Sequence, residues 1–384
     1  MNNINIMFCG DFSPARKFES IVLDSGADVF GDLLNDIKES DIAFLNLESP
    51  LCEEKESVKK TGPSLRADPK CIAAIADAGF SIVGLANNHI MDFGEEGLRE
   101  TMDACRRYNL DCCGAGFNIS DASETVISNN KGVKVGILAA AESEFGIATK
   151  IAAGAASFDP ISMVERITDA RKKCDIVLVT IHCGNEYFCY PRPGLKRLCR
   201  FLIDQGADGV IGHHTHVPGV YEFYKGKPIF YSLGNLLFDH SNPPKGWKIG
   251  YSVKLTYGVD DKALVSYQVV PYIQSVEAGG IRKLQGKELE SFWADLARKC
   301  DIFQNEESYT KEWNEYCDSM VPSMLLAQYF PYRFKGIGRL NKVLSLYKFC
   351  IGRSSLRTKL NTVRCESHHE VLVNILDKLV EKSK

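Results

Sequence analysis

Short apolar runs alternate with amphipathic segments along this chain. Ile176–Ile181 is apolar and β-branched, which predicts a strand buried on both faces. Leu195–Gln205 follows with apolar residues three and four positions apart, which predicts a helix that ends at Gly206. Gly209–Gly212 is then predicted to be a second short strand. This alternation of buried strands with helices is typical of an α/β fold.

Imidazole side chains stand where these two strands should end. His182 follows the first strand, and His214 and His216 follow the second. Ligands of open α/β sheets bind at the carboxyl ends of the strands. Imidazole is also the commonest neutral ligand for a borderline divalent metal. We therefore expect the two strand ends to bring their histidines to one place.

Three further apolar runs, each predicted to be a strand, precede polar residues in the first hundred residues. They are Ile4–Phe8 before Asp11, Ile42–Leu47 before Glu48, and Ser81–Leu85 before Asn88, His89 and Asp92. Taken alone, Asp11 could be a helix N-cap and Glu48 could lie in a solvated turn. Asn88 and His89 together, at a strand-to-helix turn, suit an amide-oxygen metal ligand beside a general acid.

The polar residues at predicted strand ends form one candidate site. They are Asp11, Glu48, Asn88, His89, His182, Glu186, His214 and His216. Each has a plausible structural role alone, but their joint occurrence at separate strand ends favours a common function. Carboxylates, an amide and imidazoles suit one or two ions of Mn²⁺, Zn²⁺ or Fe²⁺. Such a site predicts hydrolysis of an ester or amide, most simply a phosphoester, with His89 protonating the leaving group.

Composition narrows the class of protein. A chain of 384 residues is too long for a single hydrophobic core of ordinary size. The net charge of −3 and the absence of a recognition module in the sequence argue against a nucleic-acid partner. The 14 cysteines include no CxxC pair, and the polar start shows no signal peptide, so we expect reduced thiols in a cytoplasmic protein. No apolar run reaches the roughly 18–20 residues that span a bilayer.

The C-terminal part differs in composition. The change near Gly280 predicts a first domain over residues 1–280 and a helical, basic extension over residues 281–384. Within Ser319–Cys365 there are nine Lys or Arg and no Asp or Glu, with apolar residues at helical spacing. This segment could make a peripheral contact with the inner membrane face or a synthase, or hold an anionic polymer. It could equally pack on the first domain and leave its basic face in water.

Six motifs resemble those of the CapA family of bacterial capsule and poly-gamma-glutamate biosynthesis, a branch of the calcineurin-like metallophosphoesterases. They are GDFSPAR, NLESPL, LANNHIMDFG, IHCGNEY, GHHTHV and GKPIFYSLGNLLFD, and they cover about Ile4 to Tyr272 in order. The resemblance implies a four-layer sandwich of two mixed sheets flanked by helices. It implies metal ligands at Asp11, Glu48, Asn88, His182, His214 and His216, with His89 catalytic.

Other residues of these segments complete the hypothesis. Asp92 is a second candidate catalytic residue, and the candidate substrate-binding residues are Arg16, Arg66, Glu186 and Tyr187. Arg66 could instead be an ordinary surface arginine. The superfamily usually begins with Asp-x-His, whereas Ser13 stands at that histidine position here. One ligand of a first metal is therefore missing, and the number of ions stays open.

Two functions follow from this pattern. The first is a metal-dependent hydrolase of the CapA type, which cleaves a phosphoester or a γ-glutamyl or related amide in surface-polymer synthesis. The second is a non-catalytic, metal-containing subunit that binds an anionic polymer or a membrane synthase. The pair Asn88 and His89 favours the enzyme, because polymer binding needs no general acid.

Overall fold

The computed structural model describes residues 3–60, 62–329 and 353–381. The chain divides into two compact units, one of Met1–Val58 with Ser64–Gln304 and one of Lys59–Pro63 with Asn305–Lys384. The domain boundary predicted near residue 280 stays a prediction.

Strands supply most of the first unit. In chain order they are β1 (Asn3–Ser13), β2 (Ile42–Leu47), β3 (Ile82–Gly84), β4 (Asp111–Cys113), β5 (Ala115–Gly116), β6 (Val126–Asn130), β7 (Val133–Ala141), β8 (Gly154–Ala155), β9 (Ile176–His182), β10 (Gly209–His213), β11 (Tyr221–Tyr224), β12 (Lys227–Phe230), β13 (Asn235–Phe238), β14 (Ile249–Gly258), β15 (Leu264–Ser275) and β16 (Gly280–Lys283).

Helices connect these strands and form the described C-terminal part. They are α1 (Lys17–Ser25), α2 (Leu34–Lys38), α3 (Ile72–Ala78), α4 (Gly94–Arg107), α5 (Ile119–Ala122), α6 (Pro160–Arg171), α7 (Pro193–Asp204), α8 (Gly286–Gln304), α9 (Glu306–Tyr329), α10 (Arg353–Arg364) and α11 (Glu366–Glu381), with 3-10 segments at Gly26–Leu33 and Pro69–Cys71.

The strands form two mixed sheets and a small ribbon. The larger sheet has eight strands in the order β16-β15-β14-β1-β2-β3-β4, and β13 also pairs with β1. Its strands β1 to β4 are parallel, whereas β14 to β16 join antiparallel. The second sheet runs β11-β12-β10-β9-β7-β6, with parallel pairing among β12, β10, β9 and β7. Strands β5 and β8 form the ribbon.

The two sheets share one apolar core. A single cluster of buried residues contains Phe8 and Phe44 from the larger sheet and Leu178 and Ile211 from the smaller one. Every residue of β9 and β10 is buried, as expected for parallel strands covered on both faces. Helices α6 and α7 contact the second sheet, and α4 contacts the first. The predicted sandwich of two mixed sheets flanked by helices is confirmed.

Strand β1 is longer than its sequence predicts. The apolar run Ile4–Phe8 predicts a strand that ends in Gly10-Asp11, but β1 continues to Ser13. The extension exists because Asp11, Phe12 and Ser13 pair in parallel with β13. Asp11 therefore lies within a strand, held from both sides, and not in the turn that follows it.

From Glu306 onward the second unit is helical where the structure describes it. Helices α9 and α11 are joined by an ion pair of 2.8 Å between Lys378 Nζ and Asp318 Oδ1 and by a hydrogen bond between Asn374 and Asn314. The predicted basic segment Ser319–Cys365 falls partly here, but its residues 330–352 lie outside the described residues. Within the described ranges, no helix combines the length and hydrophobicity needed to cross a membrane.

Candidate metal centre

The carboxyl ends of parallel strands from both sheets meet at one edge of the sandwich. In the first sheet Asp11 pairs with Asn46, and Glu48 follows β2 directly. In the second sheet His182, at the end of β9, pairs with His213 of β10. Strands that run in the same direction end at the same edge, so the polar residues that follow them are brought together.

Two overlapping groups of ligand atoms result. Single potential ligand atoms of Asp11, Glu48 and His182 lie within 4.8 Å of one another. The same holds for Glu48, His214 and His216. Glu48 is common to both groups and completely buried, which is the position of a carboxylate that could bridge two ions.

Asn88 completes the set of predicted ligands. Its Oδ1 lies 3.1 Å from His182 Nε2, which in turn lies 3.0 Å from His214 Nδ1. The Asn88 Nδ2 donates a hydrogen bond of 2.8 Å to Glu144 Oε2. Because a carboxylate only accepts, this bond turns the amide so that its oxygen faces the histidines.

Asp11 is held by several neighbours. Asn46 Nδ2 donates to its Oδ1 at 2.8 Å, the His214 backbone N–H donates to its Oδ2 at 3.0 Å, and His213 Nδ1 lies 3.1 Å from Oδ1. Burial raises the pKa of the Asp11 carboxyl, but bonding to His213 and the charges of His213 and His216 outweigh it, so the pKa lies below its usual value. The ionised form, which binds metals, is therefore favoured.

Burial shifts the pKa of two histidines of the site, His182 and His216. Burial, with smaller contributions from neighbouring imidazoles, holds the pKa of His182 well below its usual value. Burial also lowers the pKa of His216, although Glu186 and Asp11 act in the opposite direction. A neutral imidazole has a lone pair available, so both rings are in the form that coordinates a metal.

Asn235 orients the His216 ring. His216 Nδ1 donates to Asn235 Oδ1 at 2.9 Å, while the Asn235 amide donates to the carbonyls of His216 and Trp247. This leaves His216 Nε2 to face Glu48, 3.7 Å from its Oε1. A partner on the outer nitrogen fixes the tautomer of a metal-binding histidine.

The backbone around the site is unusual. His214 and His216 have φ values of 87° and 60°, and Tyr187 and Arg16 have φ values of 66° and 61°. Residues other than glycine rarely adopt this left-handed region, and such conformations cluster at functional sites. The turn that follows β10 is therefore held in a strained form that directs both histidines to one side.

His89 and Asp92 form a buried pair beside the ligands. His89 Nδ1 lies 2.7 Å from Asp92 Oδ2, which also accepts a bond of 2.7 Å from the Leu65 backbone N–H. Because a carboxylate only accepts, the His89 ring donates from Nδ1 to Asp92. The two predicted catalytic residues are thus in contact.

The candidate substrate-binding residues lie at the rim of the site. Arg16 and Arg66 are exposed, and their neighbours Ala15 and Leu65 pack with Phe238 and Trp247. The Trp247 and Phe238 rings stand 4.7 Å and 4.9 Å from the His216 ring, which places this apolar cluster against the ligands.

Tyr187 lies near the same aromatic rings, because its ring is 6.0 Å from the Trp247 ring. The Tyr187 ring lies 6.5 Å from the His216 ring, and Glu186 is exposed beside it. Partial burial raises the pKa of Glu186, but the charges of His216 and His214 and a hydrogen bond from Tyr187 bring it below its usual value. Tyr187 therefore lies near the ligand His216, and the substrate-binding role of the four candidate residues stays a prediction.

The donor set fits a divalent ion. Two carboxylates, one amide oxygen and three imidazoles, all buried, are ligands that Mn²⁺, Zn²⁺ and Fe²⁺ accept. Ser13, which replaces the usual histidine of the superfamily, is also buried, and its Oγ has no hydrogen-bond partner among the residues that the structure describes.

Residues 5–240 match the family described as bacterial capsule synthesis protein PGA_cap. This match covers more than half of the 384 residues and every predicted ligand. The chain belongs to this family. The predicted CapA resemblance is thereby confirmed, and α8 lies beyond the part that the family describes.

Relatives in other bacteria support the assignment. The chain is 35% identical over 279 residues to the capsule biosynthesis protein CapA of Bacillus anthracis, covering 70% of this chain and 67% of that protein. It is 33% identical over 272 residues to the PGA biosynthesis protein CapA of Bacillus subtilis strain 168, covering 69% and 68%.

Solved structures with similar chain traces include two phosphoesterases. A novel phosphatase of Mycoplasma pneumoniae aligns with a TM-score of 0.47 at 15% identity, over 76% of this chain and 97% of that one. The calcineurin-like phosphoesterase YfkN of Bacillus subtilis aligns with a TM-score of 0.44 at 12% identity, over 82% and 98%.

Sequence reasoning missed the residues that position the ligands. Asn46 and Asn235 lie inside two of the quoted motifs, but nothing in the motifs singles them out. Glu144 lies in a segment rich in Ala and Gly that predicts only a connection. The sequence did contain a signal for Asn235, which begins the apolar run NLLF. An amide buried in such a run needs a hydrogen-bond partner.

Proposed function

We propose that this protein is a metal-dependent hydrolase that cleaves a phosphoester or a γ-glutamyl or related amide bond in the synthesis of an anionic surface polymer. The convergence of the predicted ligands beside a buried His89–Asp92 pair carries this proposal. The names of the CapA relatives, which refer to capsule and PGA biosynthesis, support the substrate class.

The protein would prepare the ligands before an ion arrives. Asn46 holds Asp11, Asn235 holds the His216 ring, and Glu144 turns the Asn88 amide. An ion of Mn, Zn or Fe held by the predicted ligands would activate water and polarise the bond to be cleaved. Because the ligands are already oriented, little ordering entropy is lost when the ion binds.

His89 would supply the proton that the leaving group needs. Asp92 keeps one proton on His89 Nδ1, so the proton for the substrate is carried on Nε2. The Leu65 backbone N–H fixes the Asp92 carboxylate and thereby the ring. An amide or alkoxide leaving group is very basic, so its departure depends on this proton, whereas a nitrophenolate departs without it.

The rim would hold the anionic parts of the substrate. Arg16 and Arg66 are exposed cations whose chain neighbours Ala15 and Leu65 belong to the cluster that includes Trp247. Guanidinium groups pair well with carboxylates and phosphates. The half-exposed Tyr187 ring, 6.0 Å from the Trp247 ring, would add an apolar surface next to this cluster.

Metal analysis and a substrate panel test the proposal. Protein purified without chelator should contain a divalent metal, hydrolyse a phosphodiester or γ-glutamyl substrate, lose activity with chelator and regain it with Mn²⁺, Zn²⁺ or Fe²⁺. His182→Ala should lose metal and activity, whereas His369→Ala, at an exposed histidine of α11, should lose neither. Absence of turnover with every metal would favour the alternative, a metal-containing subunit that binds the polymer or a synthase.

A further inference from the structure

A cavity lies beside α8, close to the metal centre. It has a volume of about 570 Å³, and Ile249, Ile273 and Phe292 contribute an apolar surface to its lining. This volume lies within the usual range of small-ligand sites, about 300–1,000 Å³. We call it the α8 cavity.

The α8 cavity shares a wall with the metal centre. Tyr187 lines the cavity, and its ring lies 6.5 Å from the His216 ring. Val217, which directly follows His216, lines the cavity as well. A substrate bound at the ligands could therefore extend past Tyr187 into this space without crossing the protein interior.

Charge in the α8 cavity favours an anion. Asp295 is shared between Arg298 and Lys299, with N–O distances of 2.8 Å and 2.7 Å. Lys245 lines the cavity, is exposed, and has no ion-pair partner within the described ranges. Because one carboxylate faces three cations, the lining has an excess of positive charge.

Glu288 does not cancel this excess. Arg282 holds it through two bonds of 2.7 Å and 2.9 Å, so its charge is already compensated. Glu288 also lies in the first turn of α8, where free backbone N–H groups would otherwise offer a phosphate site. A ligand that carries separate carboxylates on a short aliphatic body suits this lining better than a phosphate chain.

We infer that the α8 cavity binds the part of the substrate that extends beyond the cleaved bond, as a chain of carboxylate-bearing residues joined by methylene groups. This inference rests on the proposed function and adds a subsite to it. The methylenes contact the apolar surface near Phe292, and the carboxylates pair with Lys245 and the cations of α8. Helix α8 lies outside the matched residues 5–240.

Binding of a fluorescent γ-linked tetraglutamate to chelator-treated protein tests the inference without any need for catalysis. Lys245→Glu removes the unpaired cation, and Ser291→Trp fills part of the cavity from an exposed position on α8. Each should weaken binding about tenfold or more, since a charge reversal or a blocked pocket removes a central contact. The control is Lys287→Glu, which makes the same charge change as Lys245→Glu but at a residue of α8 that does not line the cavity. This variant should bind the tetraglutamate within about twofold of wild type.

Several outcomes would overturn the subsite. The wild type could fail to bind tetraglutamate, or Lys287→Glu could weaken binding as much as Lys245→Glu does. Both lining variants could bind as tightly as the wild type. The wild type could also bind a glycerol phosphate tetramer as tightly as tetraglutamate. Thermal melts of all variants verify folding. Turnover of small substrates by metal-loaded wild type is measured separately, so failure of the hydrolase proposal and failure of the subsite are distinguishable.

Discussion

Replacing Asp92 by asparagine separates proton donation from metal binding. Asp92 is 1% exposed and its Oδ2 accepts from both His89 Nδ1 and the Leu65 N–H at 2.7 Å. Asparagine has the same shape and keeps an oxygen for these donors, but it loses the negative charge. A hydrogen bond to a charged group contributes about 1.5–3 kcal/mol, so the protonated His89 that donates to the leaving group loses about that much stabilisation. This corresponds to a rate loss of about 10- to 150-fold.

The assay compares the single-turnover rates of Asp92→Asn and wild type on two substrates. Asp92→Asn should slow an alkyl phosphodiester or γ-glutamyl amide by the factor above. It should slow a nitrophenyl ester less than about threefold, because that leaving group needs little protonation. Metal content should not change, since neither residue belongs to the predicted ligands. Asp103→Asn, at an exposed position on α4, is the matched control. Equal slowing of both substrates, or loss of metal, would refute the role of the pair.

Three further predictions concern metal retention, acid sensitivity and membrane contact. Glu144→Ala releases the Asn88 amide and should weaken metal binding about 10- to 100-fold by calorimetry, whereas Glu144→Gln keeps an acceptor and should stay close to wild type. In the presence of chelator, the free energy of unfolding should fall as the pH drops below about 6.5. Burial lowers the pKa of His182 and His216 in the folded protein, so the unfolded chain binds protons there first. Urea titrations with equal midpoints at pH 7.5 and 5.5 would contradict this. Binding to liposomes through Ser319–Cys365 should require anionic lipid and weaken with salt, and salt-independent binding to neutral vesicles would exclude it.

Local pattern was sufficient to predict which residues end the strands. A fully buried strand has an unmistakable apolar run, so the positions of His182 and Glu48 followed from where the runs stop. Parallel strands of one sheet end at one edge, so the sequence also predicted which residues of each sheet would lie together. The approach of Glu48 in the first sheet to His182 in the second depends on how the two sheets pack, which local pattern does not contain.

Contacts between residues that lie far apart in the sequence could not be predicted from the local pattern of apolar and polar residues. The extension of β1 past Phe8 depends on β13, more than two hundred residues later. The Asn88 amide depends on Glu144, 56 residues away, and the His216 ring on Asn235, 19 residues away. Such contacts are set by tertiary packing, so a single sequence contains the residues but not their pairing.

The left-handed backbone at His214 and His216 has a consequence for the history of this chain. Each such conformation costs roughly 1–3 kcal/mol in a residue other than glycine. With φ values of 87° and 60°, both positions would therefore fold more favourably with glycine. A lineage released from selection for the ion would drift toward glycine at these two sites first. If an ion binds here, persistence of both histidines among related chains would mark those that still bind it.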